Sequence, residues 1–382
     1  MSRLVVFLSV YLCVYGVAHL YLLIKWRRAF YLQGIEYFFL FVILTFLLLA
    51  PINARLIESQ GYLLASLAIS WIGFLWMGFI FIYVCLALPL DGYHLLVGAG
   101  QRLTDADWTG LMLSRRQSVG LVAVITLGLM VYGAVEAYRV RVETLTLESS
   151  GLPSTNSRIR IVQISDVHLG PMLYPGRLAP IIEAIEQARP DILVCSGDLI
   201  DGPLLNPSNT AAAFSELTAP LGKYAVTGNH EFYYGIDRAA EFIKKAGFTL
   251  LRNRTVSTGH QITITGIDDP AGGRSMKDRT TEKQLADRLP GGGFALLLKH
   301  RPLIDPDTED VFDLQLSGHT HQGQIFPFGL VIRLFYPLEH GWHRMGDRSR
   351  LYTSRGTGTW GPPIRILAPP EITVIDIVPK KP

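Results

Sequence analysis

Four apolar runs crowd the first 140 residues, and no other feature limits the fold of this chain so tightly. They cover 4–24, 35–52, 62–90 and 119–138. A helix needs roughly 20 apolar residues to cross about 30 Å of hydrocarbon. Three runs meet that length. The second, with Glu36 and Pro51 at its ends, reaches it with its apolar flanks. Charge divides the chain at the same place. Residues 1–140 hold 9 Lys/Arg and 6 Asp/Glu, whereas 141–382 hold 26 of each. We read 1–140 as a four-helix transmembrane domain, 141–157 as a linker and 158–382 as a soluble domain.

Lys25-Trp26-Arg27-Arg28 closes the first run with no small-residue cleavage site before it, so it reads as an uncleaved span rather than a signal peptide. Segment 101–118 reads either as a short interfacial helix capped by Thr104 or as a connecting loop. Orientation follows basic residues in the short flanks. Lys25, Arg27, Arg28, Arg102, Arg115 and Arg116 lie on one side, against Arg3, Arg55, Arg139 and Arg141 on the other. Six against four places the soluble domain on the external or periplasmic side, although adding Arg158 and Arg160 would level the count. Three cysteines (Cys13, Cys85 and Cys195) exclude a disulfide-stapled scaffold and leave the compartment open. A net charge of +3, and no aromatic-basic stripe in the soluble part, argue against a nucleic-acid partner.

Beyond residue 157 the pattern predicts strands at 158–164, 191–196, 223–227, 261–266, 294–298, 312–316, 352–354 and 372–377. Helices are expected at 178–188, 211–217 and 239–246. Such alternation predicts sheets packed together with flanking helices. Five polar clusters each follow a strand: Asp166-x-His168, Gly197-Asp198, Gly228-Asn229-His230-Glu231, His300 and Gly318-His319-Thr320-His321. Ligand sites of α/β folds lie outside the carboxyl ends of strands, so the clusters should converge. Mixed carboxylate, amide and imidazole donors suit Mn, Fe, Zn or Ni. No single ion would use so many, whereas two would if one carboxylate bridged them. His19 and His94 fall in the membrane part and His260 in a turn, while His340 and His343 read as surface residues or as neighbours of the ligands.

Taken in order, the five clusters resemble the signature of the calcineurin-like metallophosphoesterase superfamily, over about residues 158–378. The run from Leu351 to Arg365, with Pro370-Glu371-Ile372-Thr373, looks like a branch of membrane-associated phosphoesterases. The resemblance implies an α/β fold, a four-layer α/β/β/α sandwich. It implies that Asp166, His168 and His321 hold one divalent cation, that Asn229, His300 and His319 hold a second, and that Asp198 bridges both. His230 is then not a ligand but a proton donor near the leaving oxygen. A metal-bridging hydroxide attacks phosphorus in line. Glu231 either orients His230 or lies at the surface. The branch and the membrane anchor point to a lipid-linked phosphate ester, a phospholipid or a UDP-diacylglucosamine-like compound. No obligate protein partner is evident. Segment 270–293, with Arg274, Lys277, Arg279, Lys283 and Arg288, reads either as a lid that meets a phosphate or as a solvated loop with a short helix. The competing function is a transport or sensor protein whose phosphoesterase-like domain only binds a ligand.

Overall fold

The computed structural model describes residues 3–104, 106–152, 158–170, 175–273 and 282–380. Two compact units make up the chain. The first is Met1–Ala134 with Gly361–Pro363, the second Val135–Trp360 with Ile364–Pro382.

The first unit is built from α1 (Arg3–Phe30), α2 (Gly34–Ser59), α3 (Leu63–Thr104) and most of α4 (Arg115–Tyr138), whose last residues belong to the second. All four are long and apolar enough to cross a membrane. Each outruns its apolar stretch. Pro89 removes one backbone donor yet does not end α3, which continues through Asp91 and Gly92 to Thr104. The Thr104 hydroxyl donates to Gly100 O at 2.8 Å, so it closes α3 instead of capping a new helix. Segment 101–118 therefore holds the end of α3, one turn at Thr109–Leu111 and the start of α4. Leu22, Leu23, Leu44, Tyr83, Ala87 and Val122 come from all four helices and share one small core. Lys25 pairs with Asp91, which also accepts from the Tyr21 hydroxyl at 2.6 Å. Around that core, apolar side chains such as Val14, Val17, Phe38 and Val124 face outward, as lipid-facing helices require.

Eighteen elements form the second unit. They run β1 (Arg141–Ser149), β2 (Ile159–Ile164), α5 (Pro175–Ala188), β3 (Ile192–Cys195), α6 (Pro207–Ser215) and β4 (Lys223–Ala225). Then come α7 (Asn229–Tyr234), α8 (Ile236–Lys245), β5 (Thr249–Leu250), β6 (Arg254–Ser257), β7 (Ile262–Ile267) and α9 (Glu282–Ala286). The chain ends with β8 (Phe294–Lys299), β9 (Leu314–Ser317), α10 (Phe328–Phe335), β10 (Gly341–Met345), β11 (Ser349–Thr353) and β12 (Glu371–Pro379). One six-stranded sheet has the order β1-β12-β2-β3-β4-β5, the other β10-β11-β9-β8-β7-β6.

Period-two alternation sorts the strand residues. In β2, Ile159 and Ile161 face the second sheet and, with Ile192 and Val194 of neighbouring β3, share a core with Ile264, Leu296, Leu314 and Leu316 of that sheet. Val162 and Ile164 point the other way and pack with Ile181, Ile185, Phe214, Phe242 and Ile243 of α5, α6 and α8. On the far face of the second sheet, Lys299 pairs with Glu282 of α9 at 2.7 Å. These are the four expected layers, the last of them reduced to the five-residue α9 among the described residues.

One boundary moves. The segment expected as a linker, 141–157, begins with β1, which pairs in parallel with β12 from Arg141↔Glu371 to Ser149↔Pro379. The reason is alternation. Leu145 and Leu147 pack on the inter-sheet core, while Val142 and Glu148 turn outward. Residues 153–157 lie outside the described residues, as does 274–281 of the expected lid, which takes in Arg274, Lys277 and Arg279.

Candidate metal centre

All five polar clusters converge. Asp166 and His168 follow β2, Asp198 follows β3, Asn229 and His230 open α7 after β4, His300 follows β8, and His319 and His321 follow β9. The loops are forced into shape. Asp166, His168, Asp198, His319 and His321 all have φ between 50° and 72°. That left-handed region costs a residue with a Cβ roughly 1–2 kcal/mol. Five such residues among seven donors mark a site whose geometry outweighs local comfort. Gly228 and Gly318 make room for it. A Cβ on Gly228 would lie 2.1 Å from Asp198 Oδ1, and one on Gly318 would lie 2.2 Å from Asp166 Oδ2.

The donors fall into overlapping groups. In the first, Asp166 Oδ1 is 3.4 Å from His321 Nε2, which is 3.0 Å from His168 Nε2. In the second, Asp198 Oδ2 is 3.1 Å from His300 Nε2, which is 3.2 Å from His319 Nδ1. Asp198 Oδ2 also stands 3.9 Å from His168 Nε2, so this carboxylate touches both groups. Asn229 Oδ1 is buried with no hydrogen-bond partner, an acceptor left for something the protein does not supply. His230 also lies within ligand range of His168 and Asp198, and its backbone N–H donates to Asp198 Oδ1 at 2.8 Å. No such group contains His340 or His343 among the described residues.

Neighbouring groups fix which nitrogen of each ring is free. His300 Nδ1 stands 2.9 Å from Ser196 O and must donate to it, which leaves the Nε2 lone pair facing Asp198 and His319. His168 Nδ1 faces Asp201 Oδ2 at 3.2 Å, which frees its Nε2 toward His321. His319 meets the Tyr336 hydroxyl at 3.1 Å through Nε2, on the side away from His300. His321 differs. Arg365 Nη2 lies 3.1 Å from its Nδ1, and a guanidinium only donates. A neutral His321 ring therefore keeps its proton on Nε2, and gives a lone pair there only when that proton leaves.

Burial would raise the Asp198 carboxyl, but His300 and His230 hold it well below the usual range. Asp166 is held down against burial by His321 and His300. Burial alone would lower His300, yet Asp198 pushes it up to about 10. Burial and the His300 charge press His319 down to about 3. Burial brings His321 down to about 4, against the pull of Asp166. The centre thus holds two carboxylates with a proton on His300, in a place chemically suited to cations.

Glu231 has neither expected role. It is fully buried, and its Oε2 accepts from Gly228 N at 2.7 Å and Asp198 N at 3.0 Å, while Oε1 accepts from Ile200 N at 3.1 Å. It ties together the loops after β3 and β4. Burial and the Asp198 charge push its carboxyl up to about 7. Three neighbours were not expected. Asp201 had a signal, a carboxylate three residues beyond Asp198 at an apolar strand end. Arg365 lay within the quoted C-terminal run with no role assigned. Tyr336 had none, because the helix that delivers it was not expected.

A two-sheet sandwich with clustered oxygen and imidazole donors on its strand-end loops defines a metallophosphoesterase. The profile of the calcineurin-like phosphoesterase family matches residues 159–323, and the chain belongs to that family. It is 38% identical over 248 residues to a protein of Aquifex aeolicus named an uncharacterized metallophosphoesterase, covering 64% of this chain and 95% of that one. It is 30% identical over 345 residues to the transmembrane protein with metallophosphoesterase domain of Danio rerio, covering 84% of this chain and 75% of that one. The second match is too long for the phosphoesterase unit alone and extends into the helical part. A 5'-nucleotidase precursor from Thermus thermophilus aligns over 58% of this chain and 54% of its own, with a TM-score of 0.36 and 14% identity.

Proposed function

We propose that the protein is a membrane-anchored phosphoesterase that uses two divalent cations to hydrolyse a lipid-linked phosphate ester. The shared position of Asp198, between an Asp166/His168/His321 group and a His300/His319 group, carries this reading. Asn229, with its orphaned Oδ1, would complete the second group. Two cations held there would lower the pKa of a water and clamp the phosphoryl oxygens. The chain's own residues do the rest. Asp198 holds the two sites at one spacing. Burial lowers the pKa of His230, and its ring stands edge-on to His168 with centroids 4.7 Å apart. There, once it has taken up the proton released by the attacking water, it would give that proton to the leaving oxygen, and a neutral ring would steady the phosphoryl charge through its N–H. The rings of Tyr233 and Trp360, at 5.4 Å and 5.8 Å from His230, wall the approach to it.

The four bilayer-length helices support a lipid-linked substrate, and the basic flanks support an external catalytic unit. The test uses the full chain in detergent or nanodiscs. Chelation should abolish turnover of a nitrophenyl phosphate ester, and Mn should restore it. A panel of phospholipids and nucleotide esters then ranks natural substrates. In Asp198→Asn, bound metal should fall well below two per chain and turnover should fall by orders of magnitude. Two bound metals with near-normal turnover in that variant would refute the shared-ligand assignment. Metals bound to the wild-type chain without any turnover would favour the ligand-binding sensor instead.

A further inference from the structure

The eight residues of α10, Phe-Gly-Leu-Val-Ile-Arg-Leu-Phe, include none that is buried. Leu334 is 79% exposed and Phe335 71%, with Leu330 and Val331 also exposed. The one charge in the helix, Arg333, is taken up by an ion pair with Glu339. Phe326, just before the helix, is exposed as well. Its N–H donates to Ile366 O at 3.1 Å, which brings Leu367 beside it. Leu367 is 64% exposed and sits at φ 56°, so a strained backbone position presents a bulky apolar side chain outward. Six large apolar side chains on two adjoining segments form a patch of the kind that soluble surfaces avoid unless it is used.

This patch is fixed to the rim of the metal centre at both ends. Ahead of α10, Gln324 and Trp360 exchange two hydrogen bonds of 2.8 Å, and the Trp360 ring stands against His230. Behind it, the Tyr336 hydroxyl reaches His319. What covers the patch follows from the chain itself. The unit that carries α10 begins its first sheet at Arg141, three residues beyond the end of α4 at Tyr138. That helix is long and apolar enough to cross a membrane. A unit tethered so closely in sequence to such a helix is kept within a short chain length of it. Amphipathic helices that lie in the interface sink their apolar face about 5–10 Å into the head-group boundary.

We propose that α10, with Phe326 and Leu367, is a bilayer-docking surface that seats the metal centre at the level of lipid head groups. The inference deepens the phosphoesterase reading and rests on it for the substrate class, a phosphate ester presented by a lipid still in the membrane. It predicts that the phosphorus is reached from the membrane side, with the acyl chains left in the bilayer.

The experiment uses the full chain in proteoliposomes, with Cys13→Ser and Cys85→Ser so that only the buried Cys195 remains native. An environment-sensitive fluorophore is attached at Leu334→Cys and, separately, at Glu241→Cys, an exposed position on α8. Lipids brominated on the acyl chains should quench the probe at 334 several-fold more than the probe at 241. Equal quenching at the two positions overturns the proposal, as does a probe at 334 shielded by a second copy or another protein. In a second arm, the double variant Leu334→Asp, Phe335→Asp should lower the ratio of lipid turnover to nitrophenyl ester turnover at least about tenfold. An unchanged ratio counts against docking. If the wild-type chain turns over no ester, the phosphoesterase reading fails, while the quenching comparison still decides the docking surface.

Discussion

Asp201 Oδ2 stands 3.2 Å from His168 Nδ1, on the side of the ring opposite the cluster. A carboxylate behind a ligating imidazole fixes its tautomer and raises its basicity, and losing it typically costs about 10–100-fold in metal affinity. The same oxygen is 3.9 Å from His230 Nδ1, so one side chain supports two rings of the centre. Asp201→Asn should weaken metal binding by that amount in a direct titration, with the fold intact by circular dichroism. Wild-type affinity in the variant would show that Asp201 only fills space.

His230 separates chemistry from binding. His230→Ala should retain both metals and lose roughly 10²–10⁴-fold in turnover, the range typical of general acid loss. The loss should shrink for esters whose leaving groups need no proton. Loss of bound metal on this substitution would place His230 among the ligands, a role its distance to His168 and Asp198 also permits.

His300 sets a pH dependence. Asp198 raises it to about 10 before any cation arrives, so at pH 7 its ring carries a proton. Nδ1 is committed to Ser196 O, so a cation must take Nε2 and displace that proton. Metal affinity should therefore strengthen with rising pH, by up to about tenfold per unit for one released proton. The rise should continue between pH 7 and 9, where a histidine of ordinary pKa is already neutral and flat. Calorimetry in buffers of different ionisation heat would count the proton. An affinity that levels off above pH 7 rules this out.

Orientation is testable by labelling. With the catalytic unit external, a cysteine at Glu241 should react with a membrane-impermeant thiol reagent on intact cells, or on cells with only the outer envelope opened. Reaction only after lysis would reverse the topology. The substrate pool would then shift to cytoplasmic-leaflet lipids and soluble nucleotides, and the metal site would stand unchanged.

The parts of this protein legible in its sequence were those with a strong local pattern. Hydrophobic length gave α1 to α4. Strand-end punctuation predicts that Asp166, Asp198, Asn229, His168, His230, His300, His319 and His321 share one site. Weak local signals failed. Residues 141–149 alternate as a strand does, but their partner lies in 371–379, far along the chain, so nothing nearby marked them as part of a sheet. α10 spans only eight residues with a single charge, Arg333, too short a run for periodicity to classify. Glu231 reads either as a partner of His230 or as a surface acid because its three partners are backbone amides, which no sequence motif displays.

The placement of β12 between β1 and β2 has a consequence for biosynthesis. Among the described residues, β1, the first strand after α4, pairs in its sheet only with residues 371–379, so it has no partner until the ribosome has made them. The long separation of Arg141 from Glu371 makes closure a slow, high-contact-order step. Until then the first sheet stays open along the edge that β12 later fills. Nascent chains stalled before residue 371 should expose β1 and β2 to protease, and their release should restore protection in a single late event.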